Sequence, residues 1–165
     1  MSNVDKILKR SEKLAFYGVP SANGGDPAYT RMRGFTELAM SKNPTEYSRK
    51  YVDEKTERND VVGYSPSISF AFDKFSEDAV HIDMVEITDN EATGADAVRS
   101  IVIVDTTKQT GDGYYAQKRD FSVIPDSEGN DAEAYTYSGS LKANGEVITG
   151  TATTDDNWQT VTFSE

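Results

Sequence analysis

The sequence predicts a mainly β protein, an antiparallel β-sandwich or barrel flanked by one short α-helix and carrying a long extended loop. Three observations lead there. Ile68, Phe70 and Phe72 alternate with Ser67, Ser69 and Ala71, the period-two pattern of a half-buried strand. Ile101-Val102-Ile103-Val104 is a continuous β-branched run, as expected of a central strand covered on both faces. Val80, Met84 and Ile87 recur at helical spacing, and no other stretch does so as clearly.

Taken in order, residues 3–14 hold no clear period, and the Gly-, Ser- and Pro-rich stretch 18–27 reads as a loop, so 1–27 is expected to be an arm and connector. Tyr29 to Arg33 reads as a strand interrupted at Gly34, within a strand-like segment from Ala28 to Ser41. Residues 42–63 are polar and charged, with Tyr47, Tyr51, Val52, Val61 and Val62 as their large or branched apolar members. A loop of that length inside a domain is functional or disordered. The strand at Ile68 follows Pro66, and Ser76 is placed to cap the helix, with Glu77 and Asp78 in its first turn. Tyr114 to Ile124 reads as a long strand ended by Pro125, and 126–131 as a turn. Tyr135, Tyr137 and Leu141 mark another strand, Asn144-Gly145 signals a hairpin into Val147 to Thr153, and Trp158 to Phe163 closes the chain. The reading has about seven strands in one domain, 1–165, a length that buries about two-thirds of the unfolded surface without a staple.

Composition excludes several functions. There is no cysteine, hence no disulfide and no thiolate chemistry. The N-terminus has no apolar run like that of a signal peptide and nothing reaches membrane-spanning length, so a soluble protein made in the cytoplasm is expected. A net charge of −11 argues against a surface that grips nucleic acid. The charge is uneven: residues 1–62 hold 11 Lys+Arg and 9 Asp+Glu, whereas 63–165 hold 6 and 19. A solvated acidic surface explains that. So does a basic part of one copy meeting an acidic part of the next, as head-to-tail assembly requires.

Nothing in the sequence makes a case for an enzyme. His81 is the single histidine, and any triad or histidine metal site would rest on it alone. Asp126 to Asp131 resembles a calcium loop only superficially, because Tyr137 stands where the bidentate Glu belongs. No phosphate-binding loop, nucleophile elbow or dinucleotide fingerprint is present, and no metal or cofactor is expected.

One resemblance adds to this reading. Gly34-Phe35-Thr36-Glu37-Leu38, Ser41 to Lys55 and Asp60 to Phe70 resemble the tail tube proteins of long-tailed bacteriophages of Gram-positive hosts. That resemblance implies a β-sandwich with a flanking helix, assembled as stacked hexameric rings whose inner strands join into one barrel around a DNA conduit. It implies that residues 42–63 reach an adjacent ring, with Tyr47, Arg49, Lys50 and Tyr51 as stacking contacts. It implies a negatively lined lumen that repels phosphate, with Glu37 and Asp73 as candidate lumen-facing residues on the strands Ala28 to Met40 and Val62 to Phe72. Partners would be further copies of the chain and the tape measure, distal tail and tail terminator proteins of a virion, with DNA passing unbound and no membrane involved.

Two other readings compete. A monomeric carbohydrate- or surface-binding β-sandwich would use Trp158, Tyr114, Tyr115, Tyr135 and Tyr137 as stacking platforms. A carboxylate hydrolase would need two acids with pKa values pushed apart in one pocket.

Overall fold

In the computed structural model, which describes residues 6–165, every strand pairing is antiparallel. The described residues form β1 (Lys13–Val19), β2 (Ala28–Arg31), β3 (Phe35–Ser41), β4 (Pro44–Arg49), β5 (Arg58–Tyr64), β6 (Ser67–Asp73), α1 (Ala79–Asp89), β7 (Val98–Thr110), β8 (Gly113–Glu128), β9 (Thr136–Ala143), β10 (Ile148–Thr153) and β11 (Thr160–Ser164). The ladders β1–β2, β2–β11, β11–β10, β10–β8, β8–β7 and β7–β1 close on themselves as a six-stranded barrel. From the second half of β8 the sheet continues outward through β9, β6 and β3 as a flange. The mainly β, one-helix architecture read from the pattern is therefore the observed one.

Two cores result from period-two alternation on the shared strands. Leu14 and Phe16 of β1 point into the barrel with Val102, Val104, Ala116, Ala152 and Val161. Ala15, Tyr17 and Val19 point the other way, into a core between the barrel wall, the flange and α1, together with Ile101, Phe121, Phe72, Leu141, Val80, Met84 and Ile87. Fully burying each large apolar side chain contributes about 1.5–3 kcal/mol.

Several elements differ from the sequence reading, each for a physical reason. The stretch expected as arm and connector contains β1, a central strand, whose run Leu14 to Val19 lacks alternation because both of its faces are covered. Its first five residues lie outside the described ones. The helix cap is Asp78 and not Ser76: Asp78 Oδ1 accepts from the backbone N–H groups of Val80 and His81 at 3.0 and 3.2 Å. Pro125 does not end β8, which runs on to Glu128 through a bulge between Pro125 and Ser127. The β7 ladder has already stopped at Val98–Ser122, so Pro125 removes no bond on that side. Asn144-Gly145 does not reverse the chain. β9 and β10 both run antiparallel to β8 along the same edge, and residues 144–147 form an excursion opposite Arg119 and Asp120.

Candidate assembly surfaces

The segment 42–63 is an ordered two-stranded ribbon. β4 pairs with β5 from Pro44–Tyr64 to Arg49–Arg58, with a bulge after Thr45. It prolongs the β3–β6 pair beyond the sheet, joined by Asn43, whose amide Nδ2 donates to Ser65 O at 3.0 Å and Ser67 Oγ at 3.2 Å. The ribbon shares no core with the rest of the chain: every residue of β4 is exposed, as are Tyr51, Val52, Val61, Val62 and Tyr64. An isolated two-stranded ribbon of this kind is marginal in water.

All four predicted stacking residues lie on this ribbon. Tyr47 and Arg49 share a face, the Arg49 guanidinium donating to the Tyr47 hydroxyl and lying 5.3 Å from its ring centroid. Lys50 and Tyr51 follow at the turn, where Arg58 lies 5.7 Å from the Tyr51 ring and is held by Glu54 at 2.8 Å. Arg49 and Lys50 have no ion-pair partner among the described residues.

The flange supplies the second surface. Its register puts Glu37, Ala39 and Ser41 of β3, Ser67, Ser69, Ala71 and Asp73 of β6, Thr136, Ser138, Ser140 and Lys142 of β9, and Ser122 and Ile124 of β8 on the face turned away from the core. Glu37 and Asp73 thus share a face, and Asp126 lines the same shallow hollow as Glu37 from the far side of β6 and β9. Only part of the predicted lumen pair forms this face. Residues 28–31 are a barrel strand and 62–64 belong to the ribbon, while β3 and β6 make the pair. The sequence reading missed how uniformly small and hydroxylated this face is, although the alternating serines of 67–69 and 138–140 signalled it.

The face ends on two open edges. Among the described residues β3 pairs only with β6, and the last residues of β8 have no ladder partner on the β7 side after Ser122.

The remaining polar candidates are structural. His81 is fully buried, with Phe72 at 4.5 Å and Phe75 at 5.5 Å between ring centroids. Its Nδ1 accepts from the Phe75 N–H at 3.0 Å, which leaves Nε2–H to donate to Arg33 O at 2.8 Å. Both ring nitrogens are committed within the protein. Burial pushes its pKa below the ordinary value, against the opposing pull of the Arg33 carbonyl and the Asp78 carboxylate. Burial alone would raise Asp78, yet the Arg33 guanidinium at 2.8 Å and the His81 N–H hold it below the usual range.

Both shifts weaken the fold in acid. His81 takes up a proton more readily unfolded, so stability is expected to fall as pH drops below about 6.5 and to go on falling until its folded pKa is passed. Asp78 contributes in full above its unfolded pKa, and that contribution is lost later, as pH falls from there through its lower folded value. The melting temperature is expected to decline between pH 7 and pH 5 in the native chain and to stay level in His81→Leu; equal slopes would remove His81 as the cause.

The aromatics proposed as sugar platforms are dispersed. Trp158 and Tyr114 pack at 5.5 Å beside the barrel core, whereas Tyr137 stacks on Phe72 at 5.4 Å in the other core and meets the exposed Tyr135 edge-on at 5.4 Å. Among the described residues no three His, Asp or Glu side chains converge as a metal site, and no helix is long and apolar enough to cross a membrane.

No family model and no curated protein matches the chain. Among solved structures, 92% of it superposes on 96% of the anti-feeding prophage cap, a tube terminating cap, with a TM-score of 0.51 and 14% sequence identity. At that identity the likeness is one of fold, and the antiparallel barrel with its flange and helix is an architecture shared with a protein that ends a tube.

Proposed function

We propose that the chain is a non-enzymatic virion component of a phage-type tail, a tube protein that assembles as stacked hexameric rings around a conduit for DNA. The observation that carries this reading is the flange: a four-stranded sheet, β3–β6–β9–β8, open on both edges and faced with small hydroxyl and acidic side chains. Open edges of this kind attract further strands. Pairing the β3 edge of one copy with the β8 edge of the next turns a ring of copies into one closed barrel with no edge left. Its inner face would carry Glu37, Asp73 and Asp126 against Lys142. Three carboxylates against one lysine leave the face net negative, so phosphate would be repelled from it. The ribbon, with Tyr47, Arg49, Lys50 and Tyr51, would then lie on the adjacent ring. The likeness of residues 34–70 to tail tube proteins of phages of Gram-positive hosts points the same way, and tape measure, distal tail and terminator proteins are the implied partners.

The fold likeness to a tube terminating cap favours a second reading, in which the chain forms one ring that seals a tube made by another protein. Negative-stain electron microscopy of the concentrated protein with parallel sedimentation separates the two. Hollow tubes support the tube reading. Single six-fold rings that never stack support the cap, and a species that stays monomeric even when offered tube ends removes both.

Reversing Arg49 and Lys50 together to Glu is expected to abolish stacking. Exposed substitutions of this kind change stability by about 0.5 kcal/mol or less, so melting should be unaffected. Tubes of normal length from this variant would take the ribbon out of the stacking contact.

A further inference from the structure

Along β6 the molecule has two chemically different ends. At the Ser67 end, where β3 and β6 run out into the ribbon, a cleft of about 290 Å³ opens between the barrel wall and the flange. Ala15 and Ile103 line it from the barrel, Leu38, Met40 and Ile68 from the flange. It is the unfilled mouth of the core that α1 closes farther along with Val80, Met84 and Ile87. Eleven helical residues span only about 16 Å, too little to cover both ends. Arg10, Lys13 and Lys42 rim the cleft, and Arg10 straps its mouth by donating to Lys13 O at 2.6 Å and Leu38 O at 3.2 Å. Bonds to carbonyls leave that guanidinium charge uncompensated.

The Asp73 end is the reverse. There the chain turns through Phe75-Ser76-Glu77 into α1, and the Phe75 ring is 49% exposed. The turn is nonetheless rigid. Phe75 is tied to His81 through its backbone N–H, stacks on the imidazole, and lies so close to Gly34 that a Cβ there would come within 2.5 Å of its ring. Glu77 is exposed beside it, and the same end of the sheet carries Glu128 at the end of β8 and Asp131 and Glu133 on the β8–β9 connection. The cations at this end are engaged: Arg33 with Asp78, and Lys74 with Phe75 O.

We propose that the cleft is the receptor for a second copy of this chain, which inserts its Phe75–Glu77 turn head to tail. Phe75 packs on Leu38, Met40 and Ile68, and Glu77 meets Lys13 and Lys42. A pre-ordered aromatic entering an apolar pocket within a complementary charged rim is the arrangement in which interfaces concentrate their affinity, because little entropy is lost on docking. The contact is heterologous, so it propagates instead of closing on itself. It rests on the stacked-ring reading and supplies that reading with an axial contact. The ribbon leaves from the same end as the cleft, so both engage the same neighbour.

The absence of cysteine makes the test direct. Residues 42 and 77 lie beyond opposite ends of β6, about 20 Å or more apart, whereas a disulfide needs Cα atoms within about 7 Å. A Lys42→Cys, Glu77→Cys double variant can therefore cross-link only between copies. Oxidised at assembling concentration, it should give a ladder of multimers on a denaturing gel without reductant, lost when either cysteine is left out. Phe75→Ser in the native background should raise the concentration needed for assembly at least tenfold while the monomer melts cooperatively. Tubes that form without a ladder overturn the docking and leave the tube reading standing. Absence of both tubes and ladder overturns both, and a ladder from open filaments upholds the docking while removing the ring.

Discussion

Asp83→Ala is expected to lower stability by about 3–5 kcal/mol, the usual cost of removing one partner from a buried ion pair. Asp83 sits on α1 and accepts from the Tyr17 hydroxyl of β1 at 2.5 Å and from Arg99 Nε of β7 at 2.8 Å. Burial first, and the Asp83 carboxylate second, drive the Tyr17 phenol pKa far up, so it stays a donor at every working pH. Burial is the largest influence on Arg99 and opposes its charge, but the hydrogen bond and charge of Asp83, with further favourable contributions from Tyr17, together outweigh it. Without Asp83 a largely buried guanidinium loses its carboxylate and keeps the carbonyls of Asp96 and Val98, and a fully buried hydroxyl loses the acceptor it donates to. In a domain of this size the loss corresponds to a melting temperature lower by on the order of 10 °C. The double variant Asp83→Leu, Arg99→Met should recover much of it, since an apolar pair of similar volume avoids the desolvation cost. A single variant losing less than about 1 kcal/mol in urea titration would show that the helix is not held by this triad.

Phe16→Ala is expected to cost a similar amount, about 3–5 kcal/mol. Phe16 is fully buried in the barrel, opposite Val102 and 6.3 Å from the Trp158 ring, with Ala116 and Ala152 among its neighbours. The walls are hydrogen-bonded all round and cannot close in on a void, which places the cost toward the upper end. Amide exchange at residues 14–18 should accelerate with it. A cost below about 1 kcal/mol would mean that residues 13–19 are not an essential barrel stave.

That position also shows where the sequence was hard to read. Half-buried strands were plain: β6 alternates cleanly because its other face is solvated, and the helix showed through Val80, Met84 and Ile87. β7 was recognisable without alternation because its run is β-branched. β1 is equally covered on both faces, but its run mixes Leu, Ala, Phe, Tyr and Gly beside a Gly-rich loop, and local pattern carries no sign of the barrel that claims it. Pro125 and Asn144-Gly145 misled for a related reason. Their local preferences are real, but β8 carries a proline where its edge is free, and a long partner strand keeps β9 and β10 in line across an Asn-Gly step. Of the assembly surfaces, the ribbon was legible as an anomalous polar segment. The common face of Glu37 and Asp73 depended on a bulge after Phe35 that pattern alone does not place.

β8 belongs to both the barrel and the flange. At sixteen residues it is about 50 Å of continuous strand, bonded along one side to β7 and along the other to β10 and then β9. The mechanical response of the molecule is therefore directional. A force applied along β8 loads the perpendicular hydrogen bonds of three ladders in shear, so that many must fail together, whereas a force pulling β3 sideways unzips its single ladder one pair at a time. A subunit oriented with β8 along a line of tension would act as a tendon, and one loaded across it would peel open.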